Sequence, residues 1–123
     1  MKLYQVAEIQ VQLDLLKKGY EVFTPIHEHS PIDLIAVKDK TTLKIQIKNS
    51  TYIDVNKICF ALKNQKGRYN NCDYYALVEP LLNKIWYIPI KDAPKTKKII
   101  EINAVKELPT EHDPTEPPST SQT

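Results

Sequence analysis

The sequence predicts a domain of the α/β or α+β class, in which an N-terminal helix packs on a mixed central sheet. Residues 3–18 contain neither Gly nor Pro, and Gly19 directly follows this run. Several short apolar or alternating runs of strand length follow between residues 20 and 90. With 123 residues and 41% hydrophobic side chains, the chain supports a single domain with a modest core.

The helix is predicted over residues 3–18, because this run is rich in Leu, Gln and Lys and Gly19 suits a C-terminal cap. At about 100° per residue, one side is predicted to face water. That side carries Gln10, Asp14 and Lys17. The opposite arc is expected to face the core, and it holds Val6, Ile9, Val11, Leu13, Leu15 and Leu16. Glu8 falls inside this apolar arc, where a carboxylate is unusual.

Three strands are predicted directly after the helix. Residues 20–24 are rich in β-forming side chains and end at Pro25. Residues 32–37 form a near-continuous apolar run broken by Asp33, as expected of a buried strand. After a turn at residues 39–40, residues 42–48 alternate between apolar and polar side chains.

The second half of the chain continues the sheet. Residues 58–62 alternate as a fourth strand, with a short helix as the alternative, and residues 74–78 and 84–90 form two more strands. Residues 64–71 are a polar loop that contains Gly67. Residues 99–105 fit a last strand or a helix, and the pattern does not decide between them.

Composition divides the chain into a domain at residues 1–106 and an acidic tail at residues 107–123. The tail is rich in Pro, Ser and Thr and has no apolar residue after Leu108, so we expect it to be disordered. It carries four acids and no Lys or Arg, and the whole chain has a net charge of +2. Residues 1–106 therefore hold a surplus of six positive charges, which favours a polyanionic partner.

The sequence argues against a membrane or secreted protein. No apolar run approaches the roughly 20 residues that span a bilayer, and polar residues interrupt each apolar stretch of the N-terminus. Cys59 and Cys72 lack zinc-finger spacing. We therefore expect reduced thiols in a cytoplasmic protein with no membrane partner.

A group of polar residues is predicted to converge on one face of the sheet. Asp33 opens an otherwise apolar strand, and Gln46 and Lys48 share one face of the next strand. If these strands form a hairpin, the three side chains meet, and Glu8 can lie over them. Asp33 and Gln46 then offer oxygens to Mg²⁺, and Lys48 can orient or deprotonate water, or stabilise a pentavalent phosphate. This set suits metal-assisted hydrolysis of a phosphodiester.

The same residues resemble the motif of the PD-(D/E)XK nuclease superfamily. Asp33, a gap of twelve residues, Gln46-Ile47-Lys48 and an acid on a preceding helix carry the resemblance, which covers residues 6–90. The chain is most similar to the small homing endonucleases encoded in cyanobacterial group I introns, whose motif also has Gln. The resemblance implies a restriction-endonuclease-like core and a Mg²⁺-dependent double-strand DNA endonuclease that acts as a symmetric oligomer.

The resemblance also assigns roles to single residues. Asp33 and Gln46 become metal-facing, Lys48 becomes the motif lysine, and Glu8 becomes the helix acid. The motif proline is displaced, because Pro31 does not directly precede Asp33. Gln in place of a carboxylate removes a negative charge and weakens metal affinity. The missing ligand is then expected from Glu8, the Ile47 carbonyl or phosphate oxygens, with Mn²⁺ able to substitute for Mg²⁺.

Basic residues near the predicted site are expected to contact double-stranded DNA. Eight Lys and Arg residues lie between positions 38 and 68, against two acids. The predicted DNA contacts are Lys57, Lys63, Lys66 and Arg68. Because one small domain reads few base pairs, recognition of a long target requires a dimer or tetramer.

Two alternatives remain open at this point. A structure-specific nuclease, such as a Holliday-junction resolvase, or a restriction-type nuclease would share the same site residues. A non-catalytic DNA-binding subunit of the same fold is kept open by the amide at Gln46. His27 and His29 flank Glu28, but loop histidines without a third ligand are more often solvated.

Overall fold

The computed structural model describes residues 2–102, which contain one α-helix and eight β-strands. Helix α1 is Leu3–Lys17. The strands are β1 (Glu21–Phe23), β2 (Leu34–Lys38), β3 (Thr41–Asn49), β4 (Thr51–Asp54), β5 (Lys57–Ala61), β6 (Tyr74–Glu79), β7 (Lys84–Pro89) and β8 (Lys97–Glu101). Short 3₁₀ turns lie at Gln65–Gly67 and Ile90–Asp92.

The strands form two sheets. The central sheet has the order β1-β2-β3-β6-β7, and a smaller sheet has the order β4-β5-β8. Strands β3 and β6 pair in parallel, and the other paired strands of the central sheet are antiparallel. The predicted class, a helix on a mixed central sheet, is confirmed.

The central sheet is covered on both faces, and this places the polar residues of β3. Helix α1 packs on one face, against Ile45 and Ile47. Gln46 and Lys48 point to the other face, where their register partners in β6 are Tyr75 and Leu77. The small sheet covers that second face with a core built on Phe60, which meets Trp86 edge to face.

The predicted end of the helix is confirmed by its capping geometry. Gly19 has φ +92°, a left-handed conformation that glycine adopts without steric cost. The Tyr20 N–H donates to the Leu15 carbonyl and the Gly19 N–H to the Leu16 carbonyl, each at 3.0 Å. These bonds satisfy carbonyls at the helix end and turn the chain into β1.

The predicted orientation of the helix is partly wrong: Val11 and Leu15 are buried and Lys17 is exposed as predicted, but other positions differ. Its buried face is Ala7, Val11 and Leu15, whereas Ile9, Leu13 and Leu16 are each about half exposed. Gln10 and Asp14, predicted to face water, turn towards the sheet. Gln10 Nε2 donates to the Pro80 carbonyl at 3.0 Å, and Asp14 accepts from the Tyr87 hydroxyl at 2.6 Å. Hydropathy alone predicted Gln10 and Asp14 to face water, because it does not account for partners distant in sequence that satisfy these polar groups.

The strand predictions differ from the structure in two places. Residues 58–61 do form a strand, within β5, and Leu62 directly follows it, but β4 was not predicted and lies before it. The undecided segment at residues 99–105 begins in β8, and its last three residues lie outside the described residues. The tail predicted at residues 107–123 also lies outside them. No helix within residues 2–102 is long and apolar enough to cross a membrane.

Two leucines of α1 test this orientation against each other. Leu15→Ala is expected to lower the free energy of unfolding by about 2–5 kcal/mol, because it opens a cavity at a fully buried position. Leu13→Ala, with the side chain half exposed, is expected to cost less than about 1 kcal/mol. Urea denaturation measures both, and equal losses would contradict the observed face.

Candidate active site

Asp33, predicted within a strand, directly precedes β2 and is held against β3 by two hydrogen bonds. Its backbone N–H donates to the Ile45 carbonyl at 2.9 Å. Its Oδ2 atom accepts from the Ile47 N–H at 2.7 Å. The carboxylate thus takes the place of a backbone carbonyl at the mouth of the hairpin. This bond fixes Asp33 beside the Gln46-Ile47-Lys48 segment, so the predicted convergence of the hairpin is found.

The pKa of Asp33 is raised from its ordinary value of 3.8 to about 6. Burial of the carboxylate is the largest cause, and repulsion from Glu8 raises the pKa further. The Ile47 N–H bond and the positive charges of Lys48 and Arg68 lower it. Asp33 therefore sits among one further acid and two cations, with a proton affinity suited to exchange near neutral pH.

Gln46 places a buried amide oxygen in the site. Among the described residues, Gln46 Oε1 is buried and accepts no hydrogen bond. Its Nε2 atom is 3.5 Å from the Ile47 carbonyl, at the outer limit of a hydrogen bond. A buried acceptor left unmatched costs free energy, and a bound cation or water would recover that cost.

Lys48 is held by an aromatic residue that the sequence analysis did not single out. Its Nζ atom donates to the Tyr69 hydroxyl at 3.1 Å and lies 4.4 Å from the centre of the Tyr69 ring. The sequence signal that points to Tyr69 is its place directly after Arg68, in the polar loop of residues 64–71. Cys72 was also not assigned a site role, and its thiol donates to the Pro31 carbonyl at 3.3 Å, close to Asp33.

Glu8 approaches the site from a different side than predicted. Helix α1 covers the face of Ile45 and Ile47, so Glu8 does not lie over Gln46 and Lys48. It is half-buried and close enough to Asp33 to raise the pKa of that carboxyl. Its predicted place over the polar face is therefore wrong, whereas its proximity to Asp33 is observed.

The oxygens gathered here fit a hard divalent cation. The available donors are the Asp33 and Glu8 carboxylates, the Gln46 amide oxygen and the Ile47 carbonyl. Mg²⁺ and Mn²⁺ prefer such oxygen ligands. Among residues 2–102, no three His, Cys, Asp or Glu side chains form a metal-binding group. His27 and His29 are exposed.

The predicted DNA contacts divide into near and distant residues. Arg68 is close enough to Asp33 to affect its pKa, and Arg68 Nη2 donates to the His29 carbonyl at 3.0 Å. Lys63 and Lys66 are exposed in the same loop region. Lys57 lies at the start of β5, roughly 20 Å along the chain from Lys63. The structure thus brings Arg68 close to Asp33, whereas Lys57 lies at the end of β5 farther from the loop of residues 64–71.

The raised pKa of Asp33 predicts how stability depends on pH without divalent cations. The folded state favours the protonated form of Asp33 over the ionised form. The stability that the protonated carboxyl contributes is fully present below pH 3.8 and is lost as the pH rises through about 6. Asp33→Asn keeps an acceptor for the Ile47 N–H and removes the charge. Its melting temperature is expected to exceed that of the wild type by about 4–8 °C at pH 8, and by little at pH 4.

Asp39→Asn is the matched control for that measurement. Asp39 is exposed in the β2–β3 turn with φ 55°, a conformation that Asn also tolerates. Its melting temperature is expected to follow the wild type at both pH values. A lower melting temperature for Asp33→Asn at pH 8 would contradict the account of Asp33.

Comparison with known proteins places the chain in a family. A family model described as PD-(D/E)XK endonuclease matches residues 2–114. The fold is similar to a bacterial homing endonuclease, I-Ssp6803I, with a TM-score of 0.70 and 18% identity over 79% of this chain and 71% of that chain. It is also similar to Hjc, a Holliday junction resolvase from Archaeoglobus fulgidus, with a TM-score of 0.49 and 16% identity over 80% and 91%.

No curated protein matches the chain. The family match spans nearly all of the sequence and includes the whole hairpin that carries Asp33, Gln46 and Lys48. The chain belongs to the PD-(D/E)XK endonuclease family.

Proposed function

We propose that this chain is a Mg²⁺-dependent endonuclease that hydrolyses phosphodiester bonds of double-stranded DNA. Two observations carry the proposal: Asp33 is held beside the Gln46-Ile47-Lys48 segment with Lys48 near its carboxylate, and Gln46 Oε1 is buried with no hydrogen-bond partner among residues 2–102. Nucleases of this family generally depend on a divalent metal, and the donor set here suits one.

The mechanism follows from what each side chain is able to do. Asp33, Gln46, Glu8 and the Ile47 carbonyl would hold the cation, which supplies an activated water and neutralises charge on the phosphate when bound. The Ile47 N–H orients Asp33 before any ligand arrives. Because the pKa of Asp33 is about 6, its carboxyl loses its proton readily when a positive ligand is near.

Lys48 supplies the remaining function. Its amine lies on the same face as Gln46 and close to Asp33, where it orients the attacking water or stabilises negative charge on the pentavalent phosphate. Arg68, which also acts on Asp33, adds a second positive charge for the DNA backbone. Lys63 and Lys66 extend this charge along the loop.

The finer assignment is a site-specific homing endonuclease in the cytoplasm. It is supported by the Gln at position 46, which the small intron-encoded homing endonucleases share, and by the similarity of fold to I-Ssp6803I. The similarity to that structure is one of fold, at 18% identity.

The proposal includes a homo-oligomer, a dimer or a tetramer. Cutting both strands of a duplex with one site per chain favours two symmetric copies. The outer face of α1 offers an apolar stripe at the spacing of paired helices, formed by Val6, Ile9, Leu13 and Leu16. Light scattering of the protein on cleaved duplex tests this part, and a monomer would contradict it.

The function is tested by a cleavage assay on a randomised duplex library together with a four-way junction. The full chain with Mg²⁺ is expected to cut the duplex at a defined sequence. Asp33→Asn and Lys48→Ala are expected to lower kcat by at least about a hundredfold, because each removes a group that acts on the reacting atoms. DNA affinity is expected to change far less.

Asp39→Asn serves as the matched control, since Asp39 lies in the turn at the other end of the same hairpin and is exposed. It is expected to cut at the wild-type rate. Cutting of the junction alone would replace the homing assignment with a resolvase. DNA binding without any cutting would contradict the enzyme and favour a non-catalytic subunit.

A further inference from the structure

We infer that Tyr69 is a positioning residue for Lys48, and that through Tyr69 the basic loop of residues 64–71 sets where the lysine amine stands. The inference rests on the proposed endonuclease function and deepens it. Tyr69 belongs to none of the motif positions, and it reaches the site from a different segment of the chain.

Two separate contacts hold the same amine. Lys48 Nζ donates to the Tyr69 hydroxyl at 3.1 Å and lies 4.4 Å from the ring centre, within the range of a cation–π interaction. Lysine carries its charge on a long flexible stem, so an unrestrained amine samples many positions. Holding it in one position before substrate binds is the kind of preorganisation that accelerates a reaction.

Tyr69 is itself fixed from the core side. Its backbone N–H donates to Asn64 Oδ1 at 2.7 Å. Its ring meets Tyr75 edge to face, with centroids 6.1 Å apart and an interplanar angle of 78°. Tyr75 is buried in the second core, and its hydroxyl donates to the Leu62 carbonyl. The Tyr69 side chain that contacts Lys48 is therefore held in place by its own neighbours.

The loop that carries Tyr69 is closed by its own side chains. Asn64 Nδ2 donates to Asn70 Oδ1 at 2.8 Å, which ties the two ends of the loop together. Gly67 between them has φ +69°, and a Cβ there would stand 2.7 Å from Asn70 Nδ2. The turn therefore needs glycine, and its tight closure directs Tyr69 towards β3.

The same loop is the predicted DNA contact. Arg68 lies 6.0 Å from the Tyr69 ring centre, so one ring has Lys48 and Arg68 near it. Arg68 also affects the pKa of Asp33. Because the loop holds Lys48 through Tyr69, the position of the lysine depends on the position of the loop, and the proposed DNA contacts of Lys66 and Arg68 would act on it.

The test separates positioning from simple packing. Tyr69→Phe keeps the ring, its contact with Tyr75 and the bond to Asn64, and it removes the hydroxyl that holds Lys48. We expect kcat to fall about tenfold to a hundredfold while KM changes less than about twofold. Tyr69→Leu also removes the ring and is expected to lower kcat further, so that Phe rescues part of the loss.

Tyr87→Phe is the matched control. The Tyr87 hydroxyl donates to Asp14 at 2.6 Å, and Lys18 Nζ lies 5.3 Å from the Tyr87 ring centre. Tyr87 thus has a similar chemical setting, but it belongs to the core under α1, away from Lys48. Its kcat is expected to stay within about twofold of the wild type. Equal losses from both variants would mean a general effect on folding and would overturn the inference.

A second readout does not need cleavage. In the folded protein, the two Hε protons of Lys48 are expected to give separate NMR signals, which merge in Tyr69→Phe and stay separate in Tyr87→Phe. Unchanged Lys48 signals together with unchanged kcat in Tyr69→Phe would overturn the inference and leave the endonuclease proposal standing. Cleavage that survives Lys48→Ala would instead overturn the proposed function, while the NMR result still decides the contact.

Discussion

The site depends on one hydrogen bond, from the Ile47 N–H to the Asp33 carboxylate. The backbone N–H groups of a strand normally donate to backbone carbonyls of the neighbouring strand. Here the Ile47 N–H donates to the Asp33 side chain instead. The carboxylate held there is partly buried, and this burial raises the pKa of Asp33 to about 6 although the Ile47 N–H bond itself lowers it. The interaction that completes the hairpin therefore also creates an acid that is destabilised until a positive ligand arrives.

The remaining polar groups are arranged around that destabilised acid. Gln46 Oε1 is buried without a partner, and Lys48 and Arg68 bring positive charge without a direct ion pair to Asp33 among the described contacts. A bound cation would satisfy the Gln46 oxygen, which has no hydrogen-bond partner among residues 2–102. We propose phosphodiester chemistry as the explanation of this arrangement, in line with membership of the PD-(D/E)XK endonuclease family.

The sequence predicted the features that depend on local chemistry. The Gly19 cap, the β2–β3 hairpin and the shared face of Gln46 and Lys48 follow from conformational preference and alternation. The burial of Gln10 and the place of Tyr69 do not, because their partners Pro80 and Lys48 are distant in sequence. Long-range contacts of this kind override local hydropathy, and a single sequence carries little signal for them.

The most direct test of the account locates the cation itself. Mn²⁺ added to the protein on a non-cleavable duplex is expected to broaden the backbone NMR signals of Asp33 and Ile47 most strongly. Because the amide at position 46 contributes one oxygen, Gln46→Leu is expected to weaken Mn²⁺ binding. The variant should need at least about tenfold more Mn²⁺ than the wild type for the same broadening. Broadening centred on His27 and His29, or unchanged in Gln46→Leu, would contradict the proposed metal site.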